Sequence, residues 1–313
     1  MARIAFVFAG QGAQYPGMGA DLYDACLKVR DIFDAAEKKL PGITRICFEG
    51  TKEELGRTIN TQPCLFLTET AIASMLMDAG IKAERCAGFS AGEIASLHYS
   101  KVMDFDQAFD YTLFRARAMD EAAGQNKGKM AAVLKLAADD VIRICSDIGN
   151  VWPVNFNSPG QTVISGSPDS IERAIETVCA AGGKARLLDV SGAFHSPFMA
   201  DAAKAAAAHL ARIALNKPGI PVYLNISGEI LTEKVNDMAD RISGQISSPV
   251  MWEKTVRSMI RDGADTFVEI GPGEVLSGLI RRIDPAVDTM STGDAAGIAT
   301  AVSKLLNTEV RDA

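Results

Sequence analysis

Two hydrophobic textures alternate along this chain. Unbroken apolar runs of about five residues, such as Ile4–Phe8, are those of strands buried on both faces of a parallel sheet. Between them lie stretches with apolar residues three and four apart, the signature of helices with one buried face. This reading predicts a strand over Ile4–Phe8, helices near 19–40 and 62–79, and a short strand before Gly88. A helix from Ala91 and another over about 105–122 follow. A polar, glycine-bearing break spans 124–129. Beyond it the rhythm changes to strand Met130–Lys135, helix 138–148, strands Pro153–Asn157 and Thr162–Ser165, helix 168–181 and strand Ala185–Val190. That β-α-β-β-α-β order is a ferredoxin-like split unit, complete within about sixty residues. The first rhythm then resumes with a helix near 197–213, strand Val222–Asn225, helices near 235–246 and 249–262, and strand Thr266–Ile270. Gly271-Pro272-Gly273 opens one more helix. The pattern predicts a doubly wound α/β body, residues 1–126 and 193–313, interrupted by a small subdomain over 127–192.

Composition narrows the class. The chain has 313 residues, 48% of them hydrophobic, enough for one large core with a satellite. A net charge of −7 argues against nucleic acid as a partner. No run approaches the ~18 apolar residues of a membrane span, and Met1–Phe8 reads as a buried strand rather than a signal peptide. The six cysteines (Cys26, Cys47, Cys64, Cys86, Cys145, Cys179) are scattered without a C-x-x-C pair. Neither a disulfide framework nor a metal site is expected, which points to a soluble protein of a reducing cytoplasm.

Candidate chemistry begins at Gly88-Phe89-Ser90-Ala91-Gly92, a G-x-S-x-G string between a predicted strand and a predicted helix. In that context it reads as a nucleophile elbow, whose glycines allow a strained turn that exposes the serine hydroxyl. An aliphatic hydroxyl attacks only when a neighbouring base takes its proton. Of the three histidines, His98 lies eight residues on along the same predicted helix, about 12 Å from Ser90. His209 sits in an alanine-rich helix and reads as surface decoration. His195 falls in the turn-rich segment Ser191–Pro197, where the subdomain returns to the body, and by elimination it is the best partner for Ser90. No Asp or Glu announces itself to orient that imidazole, a role a backbone carbonyl can also fill. Arg115 lies on a helix with an apolar face, and Arg117 cannot point the same way. A solvated, ion-paired arginine remains the simpler reading of Arg115 at this level.

Eight short segments, in order along nearly the whole chain, resemble the malonyl-CoA:acyl-carrier-protein transacylase family. They are Phe8–Gln14, Thr61-Gln62-Pro63, the Ser90 elbow through Glu93, Arg115 with Met119, Asn155–Gln161, Phe194-His195-Ser196, Gln245 before Ser248-Pro249-Val250, and Glu269–Gly273. The resemblance implies an α/β-hydrolase-like body with a parallel sheet and the ferredoxin-like insertion already inferred. It makes Ser90 the acylated nucleophile, His195 its base, and the carbonyl of Gln245 the group orienting that histidine. The amides of Gln11 and Ala91 would form the oxyanion hole. Arg115 would grip the malonyl carboxylate, and Phe194 and Asn157 would line the acyl pocket, Phe194 crowding out a methyl branch. Two positions depart from the family pattern, since Phe89 stands where histidine is usual and Ala91 where a larger aliphatic is usual.

The implied reaction is ping-pong transfer of malonyl from malonyl-CoA to the phosphopantetheine thiol of acyl carrier protein, with no metal or bound cofactor, by a cytoplasmic monomer. The alternatives are a trans-acting polyketide-synthase acyltransferase, a serine hydrolase of carrier-protein thioesters, which would have no use for Arg115, and a non-catalytic carrier-binding module. Carrier proteins of the family are acidic, so docking on this acidic chain needs a local basic patch. Arg281, Arg282, Lys184 and Arg186 are the candidates.

Overall fold

The computed structural model describes residues 2–232 and 235–311. Strand β1 (Ile4–Phe8) lies inside a six-stranded sheet. Its alternate side chains enter two different cores, Phe6 and Phe8 on one face, Ala5 and Val7 on the other. That is why the run is apolar without alternation. The remaining strands are β2 (Arg85–Gly88), β3 (Lys129–Leu134), β4 (Val151–Ser158), β5 (Gln161–Gly166), β6 (Lys184–Leu187), β7 (Val222–Leu224), β8 (Glu229–Ile230), β9 (Thr266–Ile270) and β10 (Asp288–Ser291). The body sheet runs β10-β9-β1-β2-β7-β8, parallel except for the β7–β8 hairpin. A second sheet, β4-β5-β3-β6, is antiparallel throughout.

The helices are α1 (Ala20–Ala25), α2 (Leu27–Lys39), α3 (Ile43–Glu49), α4 (Lys52–Gly56), α5 (Thr58–Asp78), α6 (Gly92–Tyr99), α7 (Phe105–Gln125), α8 (Ala138–Ile148), α9 (Pro168–Ala180), α10 (Ala200–Leu210), α11 (Val235–Gly244), α12 (Trp252–Arg261), α13 (Val275–Ile283) and α14 (Ala295–Arg311). Helix α7 starts at a complete capping box, Asp104 and Gln107 each closing the other's backbone N–H. Helices α8 and α9 cover one face of the antiparallel sheet with a separate small core that includes Val133, Ile164 and Ile171. The other face of that sheet, carrying Met130, Ala132 and Val163, turns toward the body and walls a cleft.

Several expected boundaries shift. The segment predicted as one helix over 19–40 breaks at Cys26, whose backbone is extended, into α1 and α2. The helix expected from 62 starts at Thr58 and carries Pro63 inside it, at the cost of one intrahelical bond. Pro197–Met199 and Gln245–Ser247 are 3-10 turns rather than parts of longer helices. Elements α3, α4, β8, β10 and α14 were not anticipated. Among the described residues no helix is long and apolar enough to cross a membrane, and no cluster of side chains could hold a metal ion. All six cysteines are free thiols.

Candidate active site

The site is assembled where β2 ends. Gly88 closes the strand and Gly92 opens α6. A Cβ on Gly88 would strike the backbone of Gly92, and one on Gly92 would strike the carbonyls of Phe8 and Ala9. Only glycine at both positions lets the turn close this tightly. Between them Ser90 adopts φ 53°, a left-handed conformation that a side chain rarely takes. The chain is forced to swing the Ser90 hydroxyl out of the sheet and over a cavity of about 260 Å³.

His195 meets it there from the loop between β6 and α10, with its Nε2 2.7 Å from Ser90 Oγ. Its own φ of 59° marks a second forced turn. His195 Nδ1 lies 2.8 Å from the carbonyl oxygen of Gln245. A carbonyl only accepts, so Nδ1 carries the proton and Nε2 presents its lone pair to the serine hydroxyl. Burial first, and then the nearby Arg115 charge, bring the imidazole pKa down to about 4 against the opposing pull of the Gln245 carbonyl. At neutral pH the ring is therefore an unprotonated base.

Arg115 reaches the same point from α7. It is 2% exposed, whereas Arg117 two residues on faces solvent. Its Nη1 donates to Gln62 Oε1 at 2.7 Å and its Nη2 to Gln245 Oε1 at 2.7 Å, with Ser90 Oγ 3.4 Å from Nη2. All three partners are neutral. Among the described residues no carboxylate forms an ion pair with this guanidinium, so a buried cation stands beside the nucleophile held by carboxamides alone. Burial lowers its pKa, yet a guanidinium stays charged at any physiological pH. The solvated reading of Arg115 is excluded by its burial.

Gln245 contributes three contacts: its carbonyl to His195, Oε1 to Arg115, and Nε2 to the Ser90 carbonyl at 2.8 Å. The first was expected; the two side-chain contacts were not. Gln62 and Asn225 were also missed as site residues, although Gln62 lies in the Thr61-Gln62-Pro63 string. Gln11 lines the same cavity as Ser90 and Ala91 follows Ser90 in the chain, and among the described residues neither backbone N–H donates a hydrogen bond. The Gln11 loop is pressed against the elbow: a Cβ on Gly10 would come within 2.6 Å of the Phe89 carbonyl oxygen. Phe89 itself stands edge-on to the buried Trp252, ring centres 5.4 Å apart, an apolar partner suited to phenylalanine in place of a polar residue. Phe194 and Asn157 both line the cavity, and Asn157 Oδ1 has no hydrogen-bond partner among the described residues.

The other histidines are elsewhere. His98 donates from Nδ1 to the Met103 carbonyl and packs against Phe66 and Phe105. His209 is half-buried, stacked 4.2 Å from the Phe114 ring, and is not the surface decoration expected. The four basic candidates separate. Arg186 and Arg282 line one groove that opens from the cavity and shares Ala132, Gln161 and Leu188 with it, and Arg282 also donates to Gln161 at 2.6 Å. Arg281 turns away to Thr289, and Lys184 is outside the groove. Exposed Leu187 and Val275 border the same groove, together with Asp189 and Glu274.

Comparison with known proteins gives a consistent likeness. The acyl transferase domain family model matches residues 5–300. The malonyl CoA-acyl carrier protein transacylase of Bacillus subtilis strain 168 is 36% identical over 311 residues, 97% of this chain and 98% of the relative. The crystal structure of the enzyme of that name from Clostridium perfringens superposes with a TM-score of 0.94 at 34% identity, covering 99% of each chain. A malonyl-transacylase solved in complex with its type II polyketide synthase acyl-carrier protein superposes with a TM-score of 0.93 at 34% identity, covering 97% of this chain and 100% of that one.

Proposed function

The chain belongs to the malonyl-CoA:acyl-carrier-protein transacylase family within the acyl transferases, and we infer from this that it moves malonyl from malonyl-CoA to the thiol of an acyl carrier protein. The single observation that carries the assignment of residues is the position of Ser90 Oγ, 2.7 Å from a neutral imidazole and 3.4 Å from a buried cation with no anion of its own.

Ser90 Oγ attacks the thioester carbonyl while His195 Nε2 takes the hydroxyl proton. The oxyanion is met by the N–H groups of Gln11 and Ala91, whose donors have no competing acceptor. Collapse breaks the C–S bond, the CoA thiolate leaves with the proton held by His195, and a malonyl ester remains on Ser90. The carrier's phosphopantetheine thiol then gives its proton to His195, attacks the ester carbonyl, and Ser90 recovers a proton as it departs. No metal or bound cofactor enters this sequence. Arg115 binds the free malonyl carboxylate through charge-assisted bonds. An acetyl group leaves that buried cation unpaired, a cost of about 3–5 kcal/mol, so acetyl transfer is disfavoured by orders of magnitude. A hydrolase of acyl thioesters has no such need, and the buried, carboxamide-held arginine favours transfer.

The acidic carrier protein fits the groove edged by Arg186 and Arg282, beside exposed Leu187 and Val275 and continuous with the acyl cavity. We read the body, 1–126 and 193–313, as α/β-hydrolase-like and 127–192 as a ferredoxin-like insertion. The order β4-β5-β3-β6 of a β-α-β-β-α-β segment supports this. We read the enzyme as a monomer, and its six free thiols suit a reducing cytoplasm. Neither nucleic acid nor membrane has a part in this chemistry. The test is the second half-reaction alone: enzyme loaded with malonyl-CoA, freed of CoA and mixed with holo carrier protein. The expected product is malonyl-carrier with regeneration of free enzyme. Release of free malonate without malonyl-carrier would reject transferase in favour of hydrolase.

A further inference from the structure

The elbow poses a backbone problem that the reaction scheme leaves open. The ladder between β1 and β2 ends at Phe8 opposite Gly88, with one further bond from Phe89 N–H to the Phe8 carbonyl. Ser90, at positive φ, has left the strand and has not yet entered α6, so its N–H and the Gly88 carbonyl have no ladder partner. A single side chain supplies both. Asn225 follows the last residue of β7, the strand paired beside β2. Its Oδ1 accepts from Ser90 N–H at 2.6 Å, and its Nδ2 donates to the Gly88 carbonyl at 2.5 Å.

The strap is itself anchored. Asn225 N–H donates to Glu93 Oε2 at 2.6 Å, and the Asn225 carbonyl accepts from Met251 N–H at 2.8 Å. Glu93 is on the first turn of α6, directly after the elbow, so the loop closes on itself: strand β2, serine, helix α6, glutamate, asparagine, and back to the serine amide. Asn225 is fully buried, and among the described residues no atom of it hydrogen-bonds to His195 or Arg115.

Resting on the malonyl-transfer reading above, we propose that Asn225, anchored by Glu93, is a positioning residue for the nucleophile. Its carboxamide clamps the two sides of the elbow and holds Ser90 Oγ in register with His195 Nε2. It acts through Ser90 and touches no substrate. A misplacement of order 1 Å at a reacting atom costs about 100-fold in rate, whereas binding of the CoA moiety and of the malonyl carboxylate depends on other groups. The effect is therefore confined to the chemical step.

The test measures malonylation of the enzyme by intact mass in single-turnover mixing. Asn225→Ala is expected to form the Ser90 adduct about 100-fold more slowly, with KM for malonyl-CoA within about threefold and the preference for malonyl over acetyl retained. Asn225→Asp keeps the acceptor for Ser90 N–H. Its side chain donates to the Gly88 carbonyl only when protonated, so its rate relative to wild type is expected to rise as pH falls from about 8 to about 5.5. Division by the wild-type rate at each pH removes the titration of His195, and Arg115 does not titrate in that range; Glu93, bonded to the residue-225 N–H, titrates together with the new carboxyl, so the ratio reports that pair. This second variant preserves shape and decides the matter even if Asn225→Ala fails to fold. An Asn225→Ala rate within about threefold of wild type, or an Asn225→Asp ratio that does not change with pH, overturns the proposal. Failure of wild type itself to take up malonyl would instead reject the transferase reading.

Discussion

Gln245 ties base, cation and nucleophile together, and it does so with both its backbone and its side chain. The backbone carbonyl fixes the His195 tautomer, while the carboxamide spans from the guanidinium to the Ser90 carbonyl. A carboxylate in place of that carbonyl would stabilise the imidazolium and raise its pKa. Here deep burial and then Arg115 depress it, with only the weaker upward pull of a neutral carbonyl against them. The consequence is a base that stays unprotonated far into acid. Self-acylation by malonyl-CoA is expected to be level from neutrality down to about pH 5 and to fall only near pH 4; an inflection near 6.5 in the rate would contradict the burial of His195. The same depression has a sign for stability. The unfolded chain takes up this proton near pH 6.5, the folded chain only near pH 4. Acidification through that window therefore withdraws the stability His195 contributes in its neutral form.

At the scale of elements, the β2–elbow–α6 unit depends on two glycines and one distant asparagine. Gly88→Ala sets a methyl against the backbone of Gly92, where no flexible side chain can give way. It is expected to cost about 3 kcal/mol in a denaturant melt and to abolish the Ser90 adduct; a stable, fully active Gly88→Ala enzyme would mean the turn is looser than described. The elbow was legible in the chain because its steric demand is local, and both glycines fall within four residues of Ser90. The antiparallel sheet was legible for a similar reason, each strand being a short apolar run between turn residues. The clamp of Asn225 on Ser90 spans 135 positions and leaves no periodic trace, nor do the side-chain bonds of Gln245. Gln62 and Gln245 look in sequence like any other glutamine, and only folding shows that they replace the ion pair expected of a buried arginine. Elements α3, α4, β8 and β10 are too short, at two to seven residues, to set up a periodicity that the sequence alone reveals.

The whole molecule sets two sheets against each other with the acyl cavity in the seam. The body lines it with Ser90 and Gln11, with Arg115 and Gln245 bonded to Ser90 behind them, the antiparallel sheet supplies Met130, Asn157 and Val163, and His195 sits on the chain that returns from one to the other. On the docking proposed above, a chain of net charge −7 would receive an acidic carrier along the groove leading out of the seam, where Arg186 on one sheet and Arg282 on the helix after the other stand among Asp189 and Glu274. Joint reversal of Arg186 and Arg282 to glutamate is expected to raise KM for carrier protein at least about tenfold and to leave self-acylation by malonyl-CoA unchanged. Arg281→Glu, whose parent side chain turns to Thr289, is expected to do much less. Equal effects from Arg281 and Arg282 would move the docking face.

The central claim is that one pocket joins Ser90, His195 and a cation reserved for the substrate's carboxylate. Intact mass after brief mixing with malonyl-CoA or acetyl-CoA tests it most directly, using wild type, Ser90→Ala and Arg115→Ala. The account predicts a malonyl adduct on wild type with little acetyl adduct, no adduct on Ser90→Ala, and loss of the malonyl preference in Arg115→Ala. An Arg115→Ala enzyme that still takes malonyl in strong preference to acetyl, or a malonyl adduct that survives Ser90→Ala, would contradict it.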